Sequence, residues 1–159
     1  VNIFYVDRCP KAAARALCDK HVVKMVLETA QILSTTLQRY AERPDLYRPT
    51  HTRHPCVIWT GQRLTNYRWV LRHGAALARE YERRYGRRHK SADIIYRCAH
   101  INVFLPRGWT EPPQCMPDIY RRKDTVEAYR AYYRADKARF ARWERGTPPP
   151  TWWPEEPTT

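Results

Sequence analysis

Apolar positions recur at helical spacing over three long stretches of the chain, and prolines are massed between them. From about Pro10 to Tyr40, Val22, Val23, Met25, Val26, Ala30, Ile32, Leu33 and Leu37 cover more than half of a helix circumference at 100° per residue. The pattern predicts one long helix, and Pro10 suits its first turn, where a missing N–H costs nothing. A second helix is predicted from about Gln62 to Tyr85, with Tyr67, Val70, Leu71, Leu77, Ala78 and Tyr81 toward the core and Gly86 as its stop. A third runs from about Asp124 to Arg145. Asp124 followed by Glu127 is a capping-box pattern, and Gly146 ends the helix.

The remaining segments read as connections. VNIFYVD, residues 1 to 7, is apolar and β-branched enough for a short strand or an extended arm laid across the core. Residues 41 to 60 carry three prolines and residues 106 to 117 four, so both are predicted loops. SADIIYRCAHI, residues 91 to 101, fits a short helix capped by Ser91 with Asp93 in its first turn. The tail TPPPTWWPEEPTT, residues 147 to 159, cannot build a core, though its two tryptophans are apolar enough to dock. The expected architecture is all-α: a bundle of three main helices with long proline-rich loops and a short extended N-terminal arm. One helical unit is expected over residues 1–146, followed by the tail.

Charge narrows the class of partner. Twenty-nine Lys and Arg against 16 Asp and Glu give a formal charge of +13, a field that draws polyanions, of which nucleic acid is the commonest in a cell. No apolar run approaches 18 residues and no signal-like segment is visible, so a membrane partner is not expected. Five cysteines, an odd number without C-x-x-C, read as reduced thiols of a cytoplasmic protein. A monomer acting on double-stranded DNA, in a host cytoplasm if the chain is phage-encoded, is the expectation.

Candidate chemistry lies on the first helix. Lys20, Lys24, Glu28, Gln31 and Thr35 fall within one arc of about 80°, with His21 at its edge. Such an arc can be the wet side of an amphipathic helix. Two features favour a working surface. The Lys24–Glu28 pair has the weaker i,i+4 order, and the strip mixes residue types useful in proton transfer and nucleophilic attack.

PTHTRHPC, residues 49 to 56, adds His51 and His54 as loop residues expected to bond backbone or contact nucleic-acid phosphates, with Pro55 restricting where His54 points. Cys18 and His21 form C-x-x-H, and His51 and His54 form H-x-x-H with Cys56 nearby. These spacings are compatible with zinc but match no standard finger. A further cation is disfavoured at +13, so neither metal nor cofactor is expected.

The second helix carries Arg68, Arg72, Arg79 and Arg83 as a stripe. RRYGRRHK, residues 83 to 90, then packs six cationic groups into one turn: Arg83, Arg84, Arg87, Arg88, Lys90 and, when protonated, His89. Arginines at this density grip phosphates, although they can also be merely solvated. Among the aromatics of the last helix and the tail, Trp152 is a candidate for stacking on an unpaired base.

The order of these features resembles the bacteriophage pyrimidine-dimer DNA glycosylase/lyase family and its shorter phage relatives. The matching residues are Asp19, Lys24, Glu28 and Gln31 on the first helix, then His54, Pro55 and Trp59 as H-P-x-x-x-W, then Glu80, Tyr81 and Gly86, with PTWW at 150 to 153 similar to the family's aromatic tail. The resemblance covers roughly the first 90 residues. It implies a mostly helical domain that binds duplex DNA, flips a base and kinks the helix. It also implies that an amino-terminal α-amine attacks the sugar C1′ to form a Schiff base, assisted by a first-helix glutamate. An α-amine suits this role because its ordinary pKa, about 8, leaves a neutral fraction at pH 7. On this reading Val1, Lys20 or Lys24 supplies the amine, Glu28 with His21 handles protons, and the arginines hold phosphates. A phage nucleobase-modifying transferase and a non-catalytic nucleic-acid-binding protein remain the alternatives.

Overall fold

A computed structural model describes residues 1–155, and those residues form helices without strands. The elements are α1 (Pro10–Ala16), α2 (Asp19–Leu37), α3 (Pro55–Thr60), α4 (Leu64–Tyr85), α5 (Ala92–Ala99), a 3₁₀ turn at Asp118–Tyr120 and α6 (Thr125–Asp136). The all-α expectation holds. The centre of the molecule is the α2–α4 pair, with α1 packed along α4, α5 resting on both, and α3 against α2.

The α2–α4 crossing is close because α4 carries a glycine at the contact. A Cβ on Gly74 would lie 2.8 Å from Thr29 Cγ2 and 3.3 Å from Ile95 Cδ1. At the C-terminus of α4, Gly86 adopts φ 67°, a left-handed conformation that glycine reaches without a Cβ penalty.

Three boundaries differ from the sequence expectation. The predicted helix over 10–40 is broken after Ala16: Leu17 and Cys18 are extended, and α2 restarts at Asp19. The restart is fixed from elsewhere in the chain. The Cys18 N–H donates to Tyr133 Oη at 2.9 Å and the Asp19 N–H to the Arg142 carbonyl at 2.9 Å.

The predicted loop over 41–60 contains α3, in which Pro55 takes the first turn and His54 Nδ1 accepts from the Cys56 N–H. The last helix ends at Asp136 rather than Arg145. Beyond a turn, residues 141 to 145 run extended past α2, with the Glu144 N–H donating to Asp19 Oδ2 at 2.7 Å.

The N-terminal segment is an arm rather than a strand, bent at Phe4, whose φ is 45° and whose carbonyl accepts from the Val6 N–H at 2.7 Å. Ile3, Phe4, Tyr5 and Val6 are buried, the Val6 carbonyl accepts from Arg130 Nε, and Asn2 Nδ2 donates to the Cys115 carbonyl. At the other end, Trp152 and Trp153 dock edge-on against buried Tyr133 at 5.9 and 6.0 Å, and Trp143 packs on Trp153.

Candidate active site

The arm delivers the amino group of Val1 to α2. Its nitrogen lies 3.0 Å from Glu28 Oε1, in an ion pair whose side chains are 3% and 15% exposed. Residues 27 positions apart meet because Ile3 to Val6 are anchored in the core and the Asn2 side chain pins the arm on both sides. Asn2 Oδ1 accepts from the N–H groups of Ile3 and Phe4, and Asn2 Nδ2 reaches across to the 106–117 loop. The polar strip therefore divides. Glu28 is committed to the amine, and Thr35 exchanges bonds with the Thr50 backbone, which lays the histidine loop along α2. Lys20 and Lys24 face solvent, with Lys20 Nζ 5.0 Å from the Phe140 ring centre.

His54 borders this pair. Burial lowers its pKa first, then the Val1 ammonium and His51, while Glu28 opposes them. Its neighbours Cys56 and Cys115 lie with their sulfur atoms 3.5 Å apart. An open cleft of about 540 Å³ begins at His54 and Cys115 and continues over Gln114, Arg121 and Arg122. These last residues come from a loop that the sequence marks only by its prolines. Nothing in its pattern points to the arm.

Several sequence candidates lie elsewhere. His21 is sealed in a box of Phe4, Tyr133 and Phe140, its Nδ1 lacks a partner, and burial with Lys137, Lys24 and Lys20 nearby lowers its pKa to about 3. It is a neutral core residue. Arg84 is not on the surface: its guanidinium is buried, bonded to Asp19, Glu80 and the carbonyls of Leu17 and Arg15. Arg83 is half-exposed but tied to Glu80 and Thr147. Arg88 pairs with Asp93, and Arg87 Nε donates to Tyr81 Oη.

His89 bridges Val23 and Ser91: Nδ1 accepts from the Ser91 N–H while Nε2 donates to the Val23 carbonyl, which makes it a neutral backbone brace. Lys90 and His51 are exposed, His51 with φ 50°. Trp152 has the Arg130 guanidinium 5.5 Å from its ring centre and is half-buried. Cys18 and His21 do not converge with His51 and His54. The cluster with metal-ligand spacing is instead His54, Cys56 and Cys115, within 4.8 Å of one another.

Arg68, Arg72 and Arg79 are exposed along α4. Gly74 faces α2, and the arginine stripe lies roughly 120–160° around α4 from it, on the side turned away from α2. On α2, Thr29 faces Gly74, while Lys20 and Lys24 lie roughly 140–180° away from Thr29. The stripe and the two lysines thus occupy opposite sides of the helix pair.

The domain is strongly basic and all-helical, with an amine held against a carboxylate, and the sequence comparison supplies its class. The model of the pyrimidine dimer DNA glycosylase family matches residues 1–94, more than half of the 159, and the chain belongs to that family. It is a DNA-acting glycosylase at family level, with DNA as its substrate. The matched region includes the arm, α2, the histidine loop and α4, and ends before the 106–117 loop. No curated protein and no solved structure matches the chain. Among the described residues no helix is long and apolar enough to cross a membrane.

Proposed function

We propose that the protein excises a damaged pyrimidine from duplex DNA and cleaves the resulting site as a β-lyase, with the Val1 α-amine as nucleophile. The observation that supports this reading is the 3.0 Å contact between the amine and Glu28, made across 27 residues by a buried arm. The amine attacks C1′ as the C1′–base bond breaks, and the departing base takes the bonding electrons and a proton. Glu28 is placed to accept the proton that the nitrogen sheds and to stabilise positive charge at the sugar. The C1′–O4′ bond then breaks as the nitrogen lone pair forms the C=N bond, O4′ takes the bonding electrons and the proton that Glu28 had accepted, and borohydride reduces the protonated imine to a stable adduct.

Geometry favours Val1 over the lysines: Glu28 is bonded to the amine, whereas Lys20 and Lys24 face solvent. The two lysines are better placed as phosphate contacts beside the site. The test is borohydride trapping on duplexes carrying a thymine dimer or an abasic site, with intact mass and peptide mapping. A covalent adduct on residue 1 is expected. An adduct on Lys20 or Lys24 moves the nucleophile, and no adduct on either duplex overturns the lyase chemistry.

A further inference from the structure

The His54, Cys56 and Cys115 cluster has no part in the amine chemistry, yet its geometry is specific. The Cys56 thiol is buried and donates to Cys115 Sγ at 3.5 Å, while Cys115 is partly exposed at the mouth of the cleft. A metal is the first ligand such a trio suggests, but His54 is turned against it. Its Nδ1 accepts from the Cys56 N–H at 3.1 Å, which places the ring proton on Nε2 and leaves neither nitrogen a free lone pair. The two sulfurs remain as the reactive element. Cys115 has the features of an attacking thiolate: a thiol donor in Cys56, which is the largest influence lowering its pKa, with Tyr129, Arg121 and the Val1 ammonium adding to it against burial. Cys56 is pushed the other way by the same bond and by burial, so it stays protonated as the second thiol.

We propose that Cys115 and Cys56 are a peroxide-reactive thiol pair, Cys115 the nucleophile and Cys56 the resolving cysteine, joined on oxidation into a disulfide beside the active-site arm. The Cys115 thiolate attacks one oxygen of hydrogen peroxide. An S–O bond forms, the O–O bond breaks, and hydroxide leaves to become water, giving a sulfenic acid. The Cys56 sulfur then attacks the Cys115 sulfur, the S–O bond breaks, and the departing hydroxide takes the Cys56 proton. Two thiols and one peroxide become one disulfide and two waters. Closing 3.5 Å to a bond of about 2.05 Å brings the two sulfurs about 1.5 Å closer together. The Cys115 carbonyl accepts from Asn2 Nδ2, so the disulfide forms at the anchor of the arm that carries the amine. The thiolate charge near the amine is removed in the same step.

The pair stands independently of the amine mechanism and is tested on the full chain. The protein is treated with equimolar hydrogen peroxide, alkylated, weighed intact and digested without reduction, in parallel with zinc analysis of the untreated protein. A Cys56–Cys115 cross-linked peptide is expected, with exposed Cys9 still alkylated. The variant Cys56→Ser is expected to stop at a dimedone-reactive sulfenic acid on Cys115, and Cys115→Ser to lose the rapid phase of thiol oxidation. A wild-type chain with all five thiols alkylated after peroxide, a cross-link through Cys9, or stoichiometric zinc bound through these sulfurs overturns the proposal.

Discussion

Glu28 is the side chain on which the amine reading turns, and replacing it separates chemistry from folding. Glu28→Gln keeps the volume and a hydrogen-bond acceptor but removes the charge that faces the Val1 nitrogen. Loss of a positioned proton acceptor and charge stabiliser predicts a fall of about 100-fold or more in the single-turnover rate of borohydride trapping. The stability loss stays within about 3 kcal/mol, the range for one hydrogen bond to a charged group, and urea denaturation measures it. Histidines set a different residue-scale effect. Burial lowers His21 to about 3, and His73, fully enclosed with its ring against the Pro10 carbonyl, to about 4. Both are bases whose folded pKa lies below the unfolded value of 6.5, so the unfolded chain takes up protons that the folded chain refuses. Their contribution is complete above about pH 6.5 and is lost as pH falls, down to about 4 for His73 and 3 for His21. Well inside that window each contributes a slope of about 1.4 kcal/mol per pH unit. Urea midpoints between pH 7 and 5 are expected to fall accordingly, and His21→Phe, which suits the aromatic box, to remove one such slope. An unchanged pH dependence in His21→Phe would show that this ring takes up its proton in the folded chain at the same pH as in the unfolded one.

At the scale of elements, the break between α1 and α2 is held by Arg84. Its guanidinium joins the C-terminal end of α4 to the carbonyls of Arg15 and Leu17 and to Asp19, while Glu80 accepts from Arg83, Arg84 and Thr147. Burial alone would raise the Glu80 carboxyl, but those three bonds outweigh it and hold the pKa below its usual value. Removing one member leaves buried charge unpaired, so Arg84→Met is expected to cost about 3–5 kcal/mol. Arg83→Ala, one residue away and half-exposed, should cost less than about 1 kcal/mol. Equal losses for the two in urea denaturation would contradict the assignment. The same knot explains what could be read from the sequence. The apolar periodicity of α2 and α4, the Gly86 stop and the Asp124 cap are local signals, and all three appear in the fold. The α1–α2 break has no local signal, because its backbone partners, Tyr133 and Arg142, lie more than a hundred residues away. Pro55 did mark a helix start, but the surrounding prolines favoured a loop. In the site, Glu28 and His54 stood out by residue type and spacing. Cys115, Arg121 and Arg122 did not, since only the folded 106–117 loop and the turn after it bring them to the arm.

For the molecule as a whole, a charge of +13 favours a polyanionic partner but does not say on which side it binds. The sequence pointed to the arginine stripe of α4 and the basic turn that follows it. In the fold Arg84 is internal, Arg83 and Arg88 are paired, and the exposed Arg68, Arg72 and Arg79 lie on the side of the α2–α4 pair away from Lys20 and Lys24. On the proposed mechanism, a duplex whose sugar is held at the Val1 amine is expected to run over Lys24, one helical turn before Glu28, and Lys20, a turn further. It does not meet the stripe without wrapping the protein. Each phosphate contact contributes a slope of about −0.9 to the logarithm of the binding constant against the logarithm of salt concentration. Lys20→Ala with Lys24→Ala is therefore expected to flatten that slope by about 1.8 on a lesion-bearing duplex, while Arg68→Ala with Arg72→Ala leaves it nearly unchanged. Fluorescence anisotropy across a salt series measures both. If the arginine pair flattens the slope and the lysine pair does not, DNA lies along α4, and the amine–carboxylate pair on α2 is remote from the bound duplex. If both pairs flatten it, the duplex bends around the helix pair, a deformation that a lesion already weakening base stacking makes less costly.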